Sequence, residues 1–217
     1  LIIGIHGHAR VGKDTLGGYL IEHFKARYRR EFVQAAFATQ LKNMCKEHFN
    51  LTDDQLWGDK KEELDKRYYK PISPNGCGLG LSKLPSRYWT AREIMQEVGS
   101  FYRRIYYDFW VKDLDDYLIN NNIKDAIITD VRHINECEYV KNNNGVLIRV
   151  LRECVEEIHG MRHESETSLD DKPIEYFDIE INNASTLDDL YNAAEETASA
   201  ILMIEKLKNE GRRYNGE

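Results

Sequence analysis

The chain has 217 residues, enough for one α/β domain with a full core and one or two insertions. With 31% charged residues and a formal charge of −7, it lacks the basic balance of a general DNA or RNA binder, though a small anion held by local arginines is compatible with it. No run approaches the ~20 apolar residues of a membrane span. The chain starts at Leu1, not Met, which leaves room for residues upstream, and enters an apolar segment without a signal-peptide layout. Cys45, Cys77, Cys137 and Cys154 have no metal-type spacing and are too few for a disulfide scaffold, so reduced thiols in a cytoplasmic protein are expected.

Leu1-Ile2-Ile3-Gly4-Ile5 reads as a short buried strand. Gly7-His8-Ala9-Arg10-Val11-Gly12-Lys13-Asp14-Thr15 follows it directly, with two glycines five residues apart. Such a turn curls the backbone so that several N–H groups aim at one anion, and the helix behind it adds its own unpaired donors and dipole. Lys13 supplies a mobile cation for the outer phosphates of a nucleotide. Where the generic motif has Ser or Thr after the lysine, this chain has Asp14 and then Thr15. Either Asp14 helps to hold a metal ion beside the phosphates, or Thr15 takes the hydroxyl's role.

A helix is expected from about Lys13 to Tyr28, with Leu16, Tyr19, Leu20 and Phe24 at helical spacing. Phe32–Phe37 reads as a second strand, and Thr39 to His48 as a helix. Residues from about 50 to 86 are polar, charged and rich in Pro and Gly, and 89–121 turn helical again with many aromatics. Together, residues 50–121 are expected to form a helical insertion over the sheet, not a second domain. Ala126–Thr129 is the next strand, followed by a helix from Ile134 to Lys141 and a strand at Val146–Leu151. After a polar lid-like stretch at about 152–170 come a last strand, Phe177–Ile181, and a helix from Thr186 to about Leu207, with residues 211–217 as a frayed tail. Strands separated by helices call for a parallel sheet of about five strands wrapped on both faces, its ligands beyond the carboxyl ends. The fold class is therefore α/β, of the P-loop NTPase type.

Further positions carry chemistry. Arg92 and Gln96 lie four apart on one face of an N-capped helix, an arrangement able to hold a phosphate and a base edge together. Trp110, in the aromatic run, is either core or a stacking platform. Asp130 ends an apolar strand, where a carboxylate typically holds a metal-bound water or a substrate hydroxyl, and Arg132 either reaches a phosphate or pairs with Asp130. Arg152 and Arg162 lie in the lid stretch, where arginines can neutralise charge during transfer, while His163 is better placed to order the lid by hydrogen bonding than to act as a base.

The ordered series resembles the bacteriophage deoxynucleoside monophosphate kinases. It comprises Gly12-Lys13-Asp14-Thr15, Ala91-Arg92-Glu93-Ile94-Met95-Gln96-Glu97-Val98-Gly99, Phe109-Trp110-Val111-Lys112, Thr129-Asp130-Val131-Arg132, His163-Glu164-Ser165-Glu166 and Ile181-Asn182-Asn183. The resemblance implies a single kinase domain, 1–217, transferring the ATP γ-phosphoryl to a deoxynucleoside monophosphate with Mg²⁺. It also implies that Arg10 touches the transferring phosphate and that Arg92, Gln96 and Trp110 serve the acceptor. Asp130 and Arg132 stand beside that acceptor, and Asn183 lies in the loop that approaches the donor adenine. An aspartate after the loop lysine is normal in that family. No nucleic-acid polymer or membrane is an expected partner, a homodimer is left open, and the compartment is the cytoplasm, the host's if phage-encoded. The alternatives are a kinase of another small phosphorylated metabolite and a nucleotide-binding regulator, the latter weakened because no base-reading Asn-Lys-x-Asp motif is present.

Overall fold

The computed structural model describes residues 1–70, 88–152, 169, 171–183 and 186–214. The chain divides into two compact units, Ala38–Trp110 and the remainder, Leu1–Phe37 with Val111–Glu217.

In the larger unit, β1 (Ile2–His6), β2 (Val33–Ala35), β5 (Ala126–Val131), β6 (Val146–Leu151) and β7 (Ile179–Asn182) form one sheet. Its order is β2-β5-β1-β6-β7, and every neighbouring pair is parallel. The strands alternate their apolar side chains between two cores, as the two-residue period of a strand requires. Ile3, Ile5, Ile127, Val146, Ile148 and Val150 face α1 (Lys13–Tyr28) and α7 (Leu187–Tyr214), meeting Leu16, Leu20, Phe24, Leu190, Ala194 and Ile201. Ile2, Ala126, Ile128 and Leu147 face the other side, meeting Leu114 and Leu118 of α5 (Phe109–Asn120) and Cys137 and Val140 of α6 (Ile134–Asn142). The result is a helix–sheet–helix α/β layering, the expected class. Far along α7, Lys208 donates to the Gly145 carbonyl at 2.7 Å and pairs with Asp178 at 2.8 Å. Arg30 joins Asp125 to Glu205 of the same helix.

Ala38–Trp110 has its own core. Leu41 and Cys45 of α2 (Ala38–Phe49), Leu56 of α3 (Asp53–Leu56), Ala91 and Ile94 of α4 (Ala91–Ile105), and Trp110 pack together with Leu51. Burial pushes the Cys45 thiol up to about 11, which keeps it protonated and unreactive. An antiparallel pair, β3 (Leu64–Tyr69) with β4 (Tyr88–Thr90), completes this unit.

Several elements differ from the sequence-based expectation, with β2 shortened to Val33–Ala35 and β5 extended to Val131. β7 begins at Ile179, two residues late. Phe177 instead stacks on His6, with ring centroids 5.5 Å apart, and the Asp178 carboxylate accepts the Leu147 N–H at 2.8 Å. The β3–β4 pair falls where loop and insertion were expected. Finally, α7 continues through Gly211 to Tyr214 instead of fraying from 211. Among the described residues, no helix is long and apolar enough to cross a membrane.

Candidate active site

The loop after β1 stands at the carboxyl edge of the sheet, between the ends of β5 and β6, its two neighbours. Two of its glycines are required by space. A Cβ on Gly7 would lie 2.5 Å from the Val150 carbonyl oxygen, and Gly12 adopts φ 95°, a left-handed value that other residues resist. Arg10, exposed at the loop tip, also takes a left-handed backbone, φ 65°, which for a non-glycine marks stored strain of the kind found at functional loops.

Helix α1 starts on Gly12, with no side-chain cap for its first N–H groups, and Asp14 in its first turn. The first N–H groups of a helix and the positive end of its dipole both favour an anion. Lys13 is buried, and its Nζ donates to the carbonyls of Gly7 (2.7 Å) and His8 (2.6 Å). Asp14 Oδ1 accepts a 2.6 Å bond from the hydroxyl of Thr129, buried on β5, which fixes the carboxylate beside the exposed Thr15. Thr129 was missed as a site residue because it reads simply as part of an apolar strand.

Other strand ends converge on the same edge. Asp130 Oδ1 accepts the Phe37 N–H at 2.8 Å, and Arg132 is half-buried just past β5. His6, buried at the end of β1, contacts the Val131 carbonyl through Nδ1 at 3.0 Å. Arg152 is exposed after β6. Asn183, after β7, donates from Nδ2 to the Val11 carbonyl at 2.9 Å. Gly7, Arg10, Gly12, Lys13, Asp14, Thr15, Asp130, Arg132, Arg152 and Asn183 thus share one edge of one sheet.

Arg92, Gln96 and Trp110 belong to the Ala38–Trp110 unit. Arg92 and Gln96 are half-buried on α4, with Arg92 ion-paired to Glu62. Arg103 extends their row, since eleven residues bring a helix back to within about 20°. That spacing was readable in the sequence. Trp110 is 3% exposed and gives its indole N–H to the Gly99 carbonyl at 3.1 Å, with Tyr102 and Phe109 against its ring. Its indole supports α4 from inside the core. A cleft of about 320 Å³ lined by Phe49, Arg67, Tyr68, Trp89, Ile94 and Glu97 opens on a different side of α4, Glu97 being turned about 140° from Arg92. Arg162, His163 and most of the 152–170 stretch lie outside the described residues.

A five-stranded parallel sheet with a glycine loop and a lysine at the carboxyl end of β1 defines an α/β protein of P-loop-like kinase architecture. The family model for deoxynucleotide monophosphate kinase matches residues 81–194. Over 210 residues, the chain is 30% identical to a protein of Acanthamoeba polyphaga mimivirus named "Putative deoxynucleotide monophosphate kinase", with 88% of this chain and 93% of that one covered. The chain belongs to the deoxynucleotide monophosphate kinase family, and is accordingly a phosphotransferase acting on nucleoside monophosphates.

Proposed function

We propose that this enzyme transfers the γ-phosphoryl group of ATP to the phosphate of a deoxynucleoside monophosphate, giving ADP and the deoxynucleoside diphosphate. The observation that carries this reading is the Gly7–Thr15 loop, left-handed at Arg10 and Gly12 and feeding the start of α1, which has no side-chain cap. In it, loop N–H groups and Lys13 grip the donor's β- and γ-phosphates, and Arg10 meets the transferring group. Arg152, and Arg162 of the proposed 152–170 lid, add positive charge around it. Asp14 and Thr15 offer hard oxygen ligands that suit Mg²⁺, and Thr129 orients Asp14 for that purpose. When bound, Mg²⁺ would offset charge on the phosphate oxygens.

Arg92 and Gln96, in the proposed 50–121 acceptor insertion, hold the acceptor's phosphate and base edge, with Trp110 bracing their helix. Asp130 and Arg132 orient the acceptor phosphate. That phosphate has a second pKa near ~6 and is already mostly a dianion at neutral pH, so no general base is needed. One of its oxygens bonds to the γ-phosphorus as the β–γ bridging P–O bond breaks, and ADP leaves with the electron pair. Positioning and charge neutralisation supply the catalysis. The acidic chain suits a small substrate held locally, not a nucleic-acid polymer or a membrane surface. The resemblance to the bacteriophage branch of the family would place the enzyme in the cytoplasm of an infected cell.

The test is ADP release measured with ATP, Mg²⁺ and each of the four deoxynucleoside monophosphates. Stimulation by at least one is expected. Stimulation by none, with a folded protein, would reject the reading.

A further inference from the structure

Asn183 lies 172 residues beyond the phosphate loop, yet it is one of the loop's closest partners. Its backbone N–H donates to the Leu151 carbonyl at 2.7 Å, extending the β6–β7 ladder by one residue beyond the pair Leu151–Asn182. The residue is thereby fixed in the sheet and left 8% exposed. Its side-chain Nδ2 then donates to the Val11 carbonyl at 2.9 Å, while the Val11 side chain is sunk in the core at 2% exposure. The Val11 peptide is therefore held at both ends, by apolar packing and by a buried hydrogen bond.

Two consequences follow from elementary geometry. In a trans peptide the carbonyl and the following N–H point in opposite directions. Holding the Val11 carbonyl against Asn183 turns the Gly12 N–H to the opposite side of the loop. The fit is also reciprocal. A Cβ on Gly12 would lie 2.6 Å from Asn183 Nδ2, so the glycine leaves the space that the amide occupies.

We infer that Asn183 is a positioning residue for the donor phosphates, aiming the Gly12 end of the loop, and that it does not read the donor's base. This inference rests on the reading of the loop as the ATP site and deepens it. A nearly buried amide whose nitrogen is committed to a loop carbonyl is poorly disposed to serve a base edge. The expectation that Asn183 serves the donor adenine is thereby replaced by a role through the loop.

The deciding experiment compares donors with and without a base. Binding of magnesium-ATP, magnesium-GTP and magnesium-tripolyphosphate is measured by calorimetry, or by competition where heats are small, on the wild type and on Asn183→Asp. The variant keeps the shape of the side chain but sets an acceptor against the Val11 carbonyl. All three ligands are expected to weaken by one common factor of about 10- to 100-fold, the range for an unsatisfied or repelled buried carbonyl. Binding of a deoxynucleoside monophosphate should stay unchanged, which separates loop positioning from general loss of structure. Loss of ATP affinity with tripolyphosphate affinity intact would overturn the inference, because Asn183 would then be reading the nucleoside. Unchanged affinity for all three would overturn it as well. A wild type that binds neither ATP nor tripolyphosphate would overturn the donor-site reading itself, a distinct result. Should Asn183→Asp fail to fold, Asn183→Ala, which removes the donor without adding charge, is judged by the same comparison.

Discussion

Helices α1 and α4 begin in contrasting ways. α1 starts on Gly12, which has no side chain to meet the first N–H groups. α4 starts on Thr90, whose hydroxyl accepts from the Glu93 N–H at 3.2 Å while the Glu93 carboxylate accepts the Thr90 N–H at 2.9 Å. Burial raises the Glu93 carboxyl, but bonds from Lys70 and Thr90 outweigh it and hold it below its ordinary value. The start of α1 has no side-chain cap, whereas the start of α4 is closed by its own residues. On the proposed function, the first helix holds phosphate through its backbone, and the second through side chains on its flank, Arg92 and Gln96. A backbone site depends on glycines and loop shape, while a side-chain site depends on single residues that substitution can remove cleanly.

Three substitutions sharpen that contrast. Lys13→Ala removes the buried lysine of the loop, and kcat should fall by at least about 10²–10³-fold, the range for losing a group that stabilises developing charge. Circular dichroism and thermal melting should show the fold kept, and wild-type-like turnover would erase the proposed distinction. Arg92→Ala should raise the KM for the deoxynucleoside monophosphate by about 10- to 100-fold, as expected for losing a hydrogen bond to a charged group. The KM for ATP should be unchanged, and an equal rise in both would misplace Arg92. Its ion pair with Glu62 joins side chains 40% and 66% exposed, so the melting temperature should barely move.

The smallest effect concerns the β3–β4 unit. Asp65, 7% exposed, accepts from Arg67 Nε at 2.9 Å and Nη2 at 2.6 Å, and from Gln55 at 3.0 Å. Bonds from Arg67 hold its carboxyl well below the carboxylate range, against burial and with help from Gln55. A folded-state pKa below the unfolded value of ~3.9 gives stability that is present above that value and lost as pH falls through the folded one. Asp65→Asn should cost about 1–3 kcal/mol at neutral pH. Melting temperatures followed from pH 7 downward should show the gap from wild type closing only below about pH 4. A constant gap would remove the ion pair from the account.

The same contrast explains what the sequence disclosed. β1, the loop and α1 are legible because a buried apolar run, glycine spacing and helical period occur together within residues 2–28. β5 and β6 are legible because they are buried apolar runs. The β3–β4 pair is hidden because Leu64-Asp65-Lys66-Arg67-Tyr68-Tyr69 turns a carboxylate inward and leaves Leu64 49% exposed, the reverse of an ordinary half-buried strand. In the candidate site, Lys13 and Gly12 were legible from local pattern. Thr129 and the loop-holding role of Asn183 were not, since each acts on a partner more than a hundred residues away. Gly211 suggested a helix end, but a single glycine on an exposed stretch costs only about 1 kcal/mol and α7 runs through it.

The bond from Asn183 to the loop also bears on the order in which the protein is made. The glycines and lysine of the loop leave the ribosome first, and the amide that meets the Val11 carbonyl follows 172 residues later. A nascent chain without β7 thus carries the whole phosphate motif and lacks the strand that shapes it. If Asn183 aims the loop as proposed, nucleotide capture requires β7, and chains truncated before that strand should fail to bind ATP.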